Sequence, residues 1–184
     1  MFLFALGGTL GLCLTEALSR PDYHSFVNID NAFRCLAGAE LFFFVFLWPQ
    51  FAFGRAASRL WLEVVLLWGL SVPLVLTAAS VADAGWGSLA RSQALLACAV
   101  LVVIAFARLG VERARWYYLG ATLLCGALPL MWYLVYDVLD VKLSWLAYAS
   151  PFWAMDLAAV PGGAWPLPTM IGLAGLSAAL WAAK

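Results

Sequence analysis

Residues 60–81 read LWLEVVLLWGLSVPLVLTAASV, an apolar run that carries a single charged side chain, Glu63. A helix that crosses the hydrocarbon core of a bilayer needs about 20 predominantly apolar residues. This run is long enough, and it lacks the period-two alternation that is typical of a membrane barrel strand. It therefore predicts a transmembrane α-helix, and with it the class of fold.

The composition of the whole chain agrees with that helix. Of the 184 residues, 66% are hydrophobic and 11% are charged, and ten Lys and Arg balance ten Asp and Glu. A soluble domain is about half apolar and about a quarter charged, so this chain has too little polar surface to cover a soluble core. The zero net charge and the lack of a Lys/Arg block also argue against nucleic acid as a partner. The sequence predicts an integral membrane protein whose main surroundings are the lipid bilayer.

Five further apolar runs flank residues 60–81 and are separated by charged and turn-forming clusters. The predicted spans cover residues 1–18, 35–53, 60–81, 92–107, 116–136 and 165–183. They predict an all-α integral membrane protein with about six transmembrane helices in a single polytopic domain. Because no Lys or Arg precedes the apolar part of residues 1–18, we interpret this segment as a retained helix rather than a signal peptide.

The basic residues predict the orientation, because Lys and Arg are retained on the cytoplasmic side of a membrane. With six helices, one face holds both termini and the turns at 54–59 and 108–115, and it carries six basic residues. The other face carries four basic residues and all six Asp residues. We therefore expect a multi-pass protein of the cell membrane, plasma or inner, with both termini in the cytoplasm.

The longest connection, residues 138–166, reads VLDVKLSWLAYASPFWAMDLAAVPGGAWP. It is too apolar for a free aqueous loop, and Ser150 and Pro151 break it too early for a span. We expect two short helices, at about 142–149 and 152–160, that dip into the outer leaflet as a re-entrant hairpin before the last span. Backbone that turns at membrane depth persists only where protein or a wet cavity satisfies its polar groups.

Residues that bind metals or cofactors are scarce. The chain has one His, His24, and its four Cys form no CxxC pair and no zinc-ligand spacing. P-loop, GxSxG, HExxH and Gly-rich dinucleotide motifs are also missing from the sequence. We therefore expect no catalytic residue, no metal site and no cofactor, and a protein that is not an enzyme. A bound quinone, or a haem shared with a second subunit, stays open.

Ionisable residues inside the apolar segments are the first candidates for function, because burying a charge in a membrane is costly. Glu40 lies five residues into the second span, directly after residues 36–39 (LAGA). One interpretation is a polar site that faces a translocation path or a partner, and the other is an interhelical hydrogen bond from a protonated acid. Asp156 lies in the re-entrant segment, where it caps a helix, pairs with Lys142 or faces a cavity.

Prolines and a deep tryptophan supply further candidate positions. Pro49, Pro73 and Pro129 fall inside the second, third and fifth spans, where each removes a backbone donor and tends to kink its helix. Trp132 lies deep in the fifth span, where either packing or ligand contact explains it. The candidate path or partner contacts are Glu40, Asp156, Pro129, Trp132 and Pro151.

Two simpler interpretations concern contacts within and between chains. Glu63 lies one turn after Arg59 near the inner interface, and a local ion pair between them explains it. Small-xxx-small spacings at Gly7 and Gly11, and within 174–179 (AGLSAA), allow close approach of another helix. We expect the first and last spans to make the subunit contacts.

Two local patterns carry a resemblance to a known family. Residues 128–134 (LPLMWYL) place a proline before aromatics, and residues 150–154 (SPFWA) follow as Ser-Pro-aromatic-x-Ala. With six helices, short inner turns and an outer re-entrant hairpin, residues 91–184 resemble the closing part of a permease subunit of a type-two ABC transporter. The resemblance implies a dimer of permeases energised by a separate P-loop ATPase. The turn at 54–59 (GRAASR) departs from the family, which has an acidic-basic-Gly-Thr motif and a coupling helix there.

Two functions from different classes stay open. The first is a permease-like transmembrane subunit of an ABC-type transporter, with a path bounded by the second and fifth helices. The second is an accessory membrane subunit of a larger respiratory or oxidoreductase complex, in which aromatic spans hold lipid, quinone or neighbouring subunits. Small size, short loops and the lack of a ligand set favour the second. Both predict other membrane subunits as partners in a multi-subunit complex.

Overall fold

The computed structural model describes residues 32–139 and 148–183, and every regular element in these two stretches is helical. The helices are α1 (Ala32–Ala52), α2 (Ala57–Val81), α3 (Gly85–Arg108), α4 (Val111–Tyr136), α5 (Pro151–Ala159) and α6 (Leu167–Ala182). The first four are each long and apolar enough to cross a membrane. The chain is therefore an all-helical, multi-pass membrane protein, as its sequence predicts.

The helix boundaries follow the predicted spans with one shift that matters for the site. α3 begins at Gly85 rather than at 92, so Arg91 lies inside the helix instead of in an outer loop. α6 has 16 residues and is shorter than the first four helices. The predicted span at 1–18, with Gly7 and Gly11, lies outside the described residues.

Two of the three prolines in the long helices follow a π-helical turn. The turn Phe43–Leu47 precedes Pro49, and the turn Leu123–Ala127 precedes Pro129. A proline ring clashes with the carbonyl four residues earlier and has no N–H to bond it, and a wider turn relieves both problems. Pro73, in contrast, lies inside α2 without a break in the helix assignment.

The α3 helix is the centre of the described bundle, and α1, α2, α5 and α6 all pack against it. The largest fully buried apolar side chains come from α1, α2, α3 and α5, and they are Phe33, Leu36, Leu41, Phe44, Leu60, Val64, Leu95, Leu96, Ile104 and Met155. Glu40 is buried to the same degree among them. α4 lies at the margin of the bundle, and few of its residues are fully buried.

The short helix α5 packs between α1 and α3. Its nine residues make a helix about 14 Å long, which is less than half the hydrocarbon thickness of about 30 Å. The helix corresponds to the second short helix that the sequence predicts at 152–160. The first, at 142–149, lies almost entirely outside the described residues, so the re-entrant hairpin as a whole stays a prediction.

The α6 helix packs along α3, and one of its contacts with α3 is polar. Ser177 donates a hydrogen bond of 3.3 Å to the main-chain oxygen of Leu101 in α3, whereas Thr169 donates to the main-chain oxygen of Tyr148. Residues 174–179 other than Leu176 and Ser177 are small and exposed. The small-residue face of α6 therefore points away from α3, and its use as a subunit contact stays a prediction.

The sequence predicts that Glu63 pairs with Arg59, and this prediction is wrong. Arg55, not Arg59, contacts the Glu63 carboxylate. Arg55 lies in the turn before α2, where Gly54 adopts a positive φ of 89° and turns the chain back toward the helix. An arginine four residues before a glutamate is also the less favourable order for a pair on one helix.

Candidate functional site

A buried carboxyl group joins three of the long helices. Glu40 of α1 is 1% exposed. The hydroxyl of Ser71, from α2, donates to its Oε1 at 2.6 Å, and the side-chain amide of Gln93, from α3, donates to its Oε2 at 3.0 Å. Both carboxyl oxygens are therefore hydrogen-bonded, each to a different helix. We call Glu40, Ser71, Gln93 and Trp68 the Glu40 cluster.

Trp68 fixes the direction of the Gln93 amide. The indole N–H of Trp68 donates to Oε1 of Gln93, and an indole nitrogen is only ever a donor. The amide oxygen must therefore face Trp68, which leaves the amide N–H₂ group facing Glu40. One residue of α2 thus orients the residue of α3 that binds the carboxyl group of α1.

The Glu40 cluster satisfies the hydrogen bonds of both protonation states of the carboxyl group. The Ser71 hydroxyl has one proton, and its oxygen lies 2.6 Å from Glu40 Oε1 and 2.8 Å from the main-chain oxygen of Trp68. With a carboxylate, the proton is donated to Glu40. With a protonated acid, Glu40 donates to Ser71, and Ser71 donates to Trp68. A rotation of one hydroxyl is sufficient to accommodate the change.

Glu40 is bound by neutral groups. The ion pairs between described residues are those of Arg34 with Asp156 and of Arg55 with Glu63. A buried charge without an opposite charge is costly, and ionisable residues retained in such positions are functional candidates. Both interpretations of Glu40, an interhelical hydrogen bond and a polar site, thus have support in its contacts.

An open groove lies beside the Glu40 cluster, between α2 and α3. Its inner part, about 170 Å³, is lined by Trp68, Ser71, Val72, Val75, Leu76, Leu89 and Gln93. Its outer part, about 510 Å³, is lined by Leu76, Thr77, Ala79, Ser80, Asp83, Gly85, Trp86 and Leu89. Leu76 and Leu89 line both parts, so the two lie next to each other along α2 and α3. We call this cavity the α2–α3 groove.

A second polar cluster fixes α5. Arg34 of α1 donates from Nε and Nη2 to the two carboxylate oxygens of Asp156, at 2.7 and 2.6 Å. Of the alternatives that the sequence leaves for Asp156, pairing is the one observed, although with Arg34. Lys142, the partner that the sequence suggests, lies outside the described residues. Sequence reasoning missed Arg34 because it stands at the edge of a predicted loop, far from Asp156 along the chain.

Arg91 binds the C-terminal end of α5. Its guanidinium donates to the main-chain oxygens of Ala158 at 3.2 Å and Val160 at 2.9 Å, and to the hydroxyl of Ser88 at 3.1 Å. A cation at the C-terminus of a helix binds its last carbonyls and opposes the helix dipole. Arg91 is 7% exposed, so this contact is inside the protein. The sequence does not predict this contact, because the predicted fourth span begins at residue 92, after Arg91.

The remaining candidate residues lie where α4 meets α5. Trp132 stacks on Tyr136 with ring centroids 4.7 Å apart, and packs edge to face against Trp153 of α5 at 4.5 Å. Pro151 is the first residue of α5 and is buried, whereas Pro129 is half-buried in α4. Trp132 makes aromatic packing contacts, while its indole nitrogen is buried without a hydrogen-bond partner among the described residues. Glu40 and Asp156 belong to separate clusters.

An apolar cavity of about 100 Å³ lies under α4, and its walls include Val45, Phe106, Tyr117, Cys125, Pro151 and Leu173. Its lining is almost wholly apolar. Elsewhere in the described stretches, no group of three or more His, Cys, Asp or Glu side chains is placed to hold a metal ion.

Comparisons with known proteins find no match for this chain. No protein-family model matches the chain. No curated protein and no solved structure matches it either.

Proposed function

We propose that this protein is a permease-like transmembrane subunit of a transporter, of the ABC type and energised by a separate P-loop ATPase. The observation that carries the proposal is Glu40, a buried carboxyl group bound by neutral donors from two other helices. A chain that only packed its helices would gain more from an apolar side chain there, because desolvating the acid is costly.

The location of the Glu40 cluster supports a role in a path through the bundle. Trp68, Ser71 and Gln93 also line the α2–α3 groove, so groups that bind Glu40 on one side face an open space on the other. A substrate or proton in the groove changes the hydrogen bonds available to Ser71 and Gln93. Occupancy of the groove and the packing of α1 against α2 and α3 are therefore coupled through the Glu40 carboxyl group.

The ABC part of the proposal is supported by the two stretches that carry the resemblance, residues 128–134 and 150–154. Trp132 in the first stretch packs on Trp153 in the second, so the two patterns form one packed unit at the meeting of α4 and α5. In this proposal both termini face the cytoplasm, and the ATPase binds at the same face. The turn between Ala52 and Ala57 leaves no room for a coupling helix. In this proposal the ATPase therefore contacts the short turns at the cytoplasmic face.

The test starts with purification of the tagged full chain in mild detergent, followed by mass spectrometry and an absorbance spectrum. We expect a co-purifying P-loop ATPase and no visible chromophore. ATP hydrolysis by the complex in proteoliposomes is then measured for Glu40→Gln and for Ser177→Ala, which removes a buried polar side chain outside the cluster. Loss of turnover in the first variant alone supports the proposal. Equal turnover in both, or the lack of an ATPase, overturns it.

An accessory subunit of a respiratory or oxidoreductase complex is the second candidate. It is favoured by α4, a 26-residue apolar helix of which few residues are fully buried in the described part of the chain. Such a helix presents a long face to lipid or to a neighbouring subunit. Redox subunits with haem or copper absorbance in the same purification would support this function instead.

A further inference from the structure

The α2–α3 groove has a defined length and two different ends. It follows α2 from Trp68 to Asp83, which is about 22 Å along a helix axis. Trp68 and Gln93 lie at its inner end, beside Glu40. Asp83 and Trp86 lie at its outer end, in the turn between α2 and α3. Trp86 is 79% exposed, so its ring is open to a ligand at this end of the groove.

The hydroxyl groups in the groove offer acceptors rather than donors. Thr77 donates its proton to the main-chain oxygen of Pro73 at 2.7 Å, and Ser80 donates to that of Thr77 at 2.8 Å. Ser71 donates within its own cluster. Each hydroxyl has a single proton, so the lone pairs of these oxygens are what a ligand in the groove meets.

The charge of the groove is negative at its outer end. Asp83 is exposed at the outer end, and Glu40 lies behind the inner end. Among the residues that the structure describes, no Lys or Arg side chain lines either part of the groove. The nearby Arg91 is directed to the carbonyls at the end of α5. The acceptor oxygens, the Asp83 carboxylate and the two indole rings together favour a positively charged ligand.

We propose that the α2–α3 groove is a binding site for an organic cation with an apolar body. The positive group lies against Asp83 and the face of Trp86, and the apolar body lies along Leu76 and Leu89 toward Trp68. The inference rests on the proposed function in taking the Glu40 cluster as the inner end of a path. The outer part, about 510 Å³, is within the size range of pockets for drug-sized ligands.

The test compares two ions of nearly the same size and shape but opposite charge, tetraphenylphosphonium and tetraphenylborate. Binding to the full chain in lipid nanodiscs is measured by equilibrium dialysis, with empty nanodiscs subtracted. We expect saturable binding of tetraphenylphosphonium and no saturable binding of tetraphenylborate. Saturable binding of both ions, or of neither, overturns the inference.

Two variants locate the site. Asp83 has a positive φ of 47°, a conformation that Asn tolerates as well as Asp does, so Asp83→Asn removes the charge without straining the turn. We expect it to weaken tetraphenylphosphonium binding by about tenfold, and Trp86→Leu to weaken it by a similar factor. Glu112→Gln is the control; Glu112 is an exposed carboxylate in the first turn of α4, and its substitution should leave binding unchanged. Equal effects of Asp83→Asn and Glu112→Gln overturn the inference.

The outcomes also separate this inference from the proposed function. Saturable, Asp83-dependent cation binding without Glu40-dependent ATP hydrolysis supports the site and contradicts the permease. Glu40-dependent ATP hydrolysis without saturable cation binding supports the permease and contradicts the site. Size-exclusion profiles of each variant in detergent show that the compared proteins are folded.

Discussion

The hydroxyl group of Tyr117 donates a hydrogen bond of 2.6 Å to the main-chain oxygen of Val45. Val45 stands four residues before Pro49, and its oxygen is the acceptor that an ordinary residue at position 49 would bond through its N–H. Proline has no N–H, and the π-helical turn Phe43–Leu47 carries the chain past its ring. A side chain of α4 therefore supplies a hydrogen bond where the backbone of α1 is irregular.

We expect Tyr117→Phe to lower the free energy of unfolding by about 1 kcal/mol, because the Val45 oxygen loses a donor at a buried position. Tyr118→Phe is the matched control. The Tyr118 hydroxyl is buried without a hydrogen-bond partner among the described residues, so its removal should cost nothing. Unfolding of the two variants in detergent measures the difference, and equal losses would contradict the role of Tyr117.

The Glu40 cluster predicts different effects for two substitutions of the same residue. A glutamine at 40 accepts from Gln93 and donates to Ser71, whose proton then goes to the Trp68 oxygen 2.8 Å away. Glu40→Gln should therefore keep the fold. Glu40→Leu leaves the Gln93 amide unpaired in a buried site and should cost about 1–3 kcal/mol. Thermal unfolding in detergent tests this, and similar losses for both would show that the charge itself holds the helices.

The ion pair of Arg34 and Asp156 predicts a salt-dependent coupling between α1 and α5. Their side chains are 34% and 30% exposed, so we expect a coupling free energy of about 1 kcal/mol that falls as salt is added. Arg34 has further interactions, and for that reason the measurement is a double-mutant cycle of Arg34→Ala and Asp156→Ala. A coupling near zero at low salt would show that the pair does not hold α5.

The turn between α5 and α6 predicts a steric requirement at Gly163. A Cβ atom at this position would lie far inside contact distance of the main-chain oxygen of Leu157, with the Val160 oxygen also close. Gly163→Ala should therefore destabilise the protein by displacing the end of α5. Gly175 has open space around it, and Gly175→Ala should be neutral or stabilise α6 by up to about 1 kcal/mol. Unfolding midpoints compare the two, and a harmless Gly163→Ala would contradict this packing of the turn.

The sequence is most informative about the helices of this protein. Residues 60–81 and the runs beside them predict long apolar helices, because spanning a bilayer requires a length and a composition that are local properties of the chain. The start of α3 is predicted too late because Arg91 was interpreted as a loop residue. A buried arginine is tolerated there only because carbonyl oxygens at the end of α5 bind it, and these come from distant sequence.

Among the candidate site residues too, some are evident from the sequence and others only from the structure. Glu40 stands out in the sequence because a carboxyl group within an apolar run is unusual, and the structure confirms that it is buried. Ser71, Gln93 and Trp68, which bind or orient it, carry no such signal, since polar residues of this kind occur in many spans. Asp156 also stands out in the sequence as a charge in an apolar segment, but its partner Arg34 belongs to another helix.

The sequence by itself therefore determined the class of protein and most of its helices, through hydrophobicity and length, which are summed along the chain. Only the tertiary structure decided which polar groups meet: Glu40 with Ser71 and Gln93, and Arg34 with Asp156. Within an apolar environment each buried polar group must find a partner, but many partners satisfy that requirement. The packing of α1, α2, α3 and α5 selects among them.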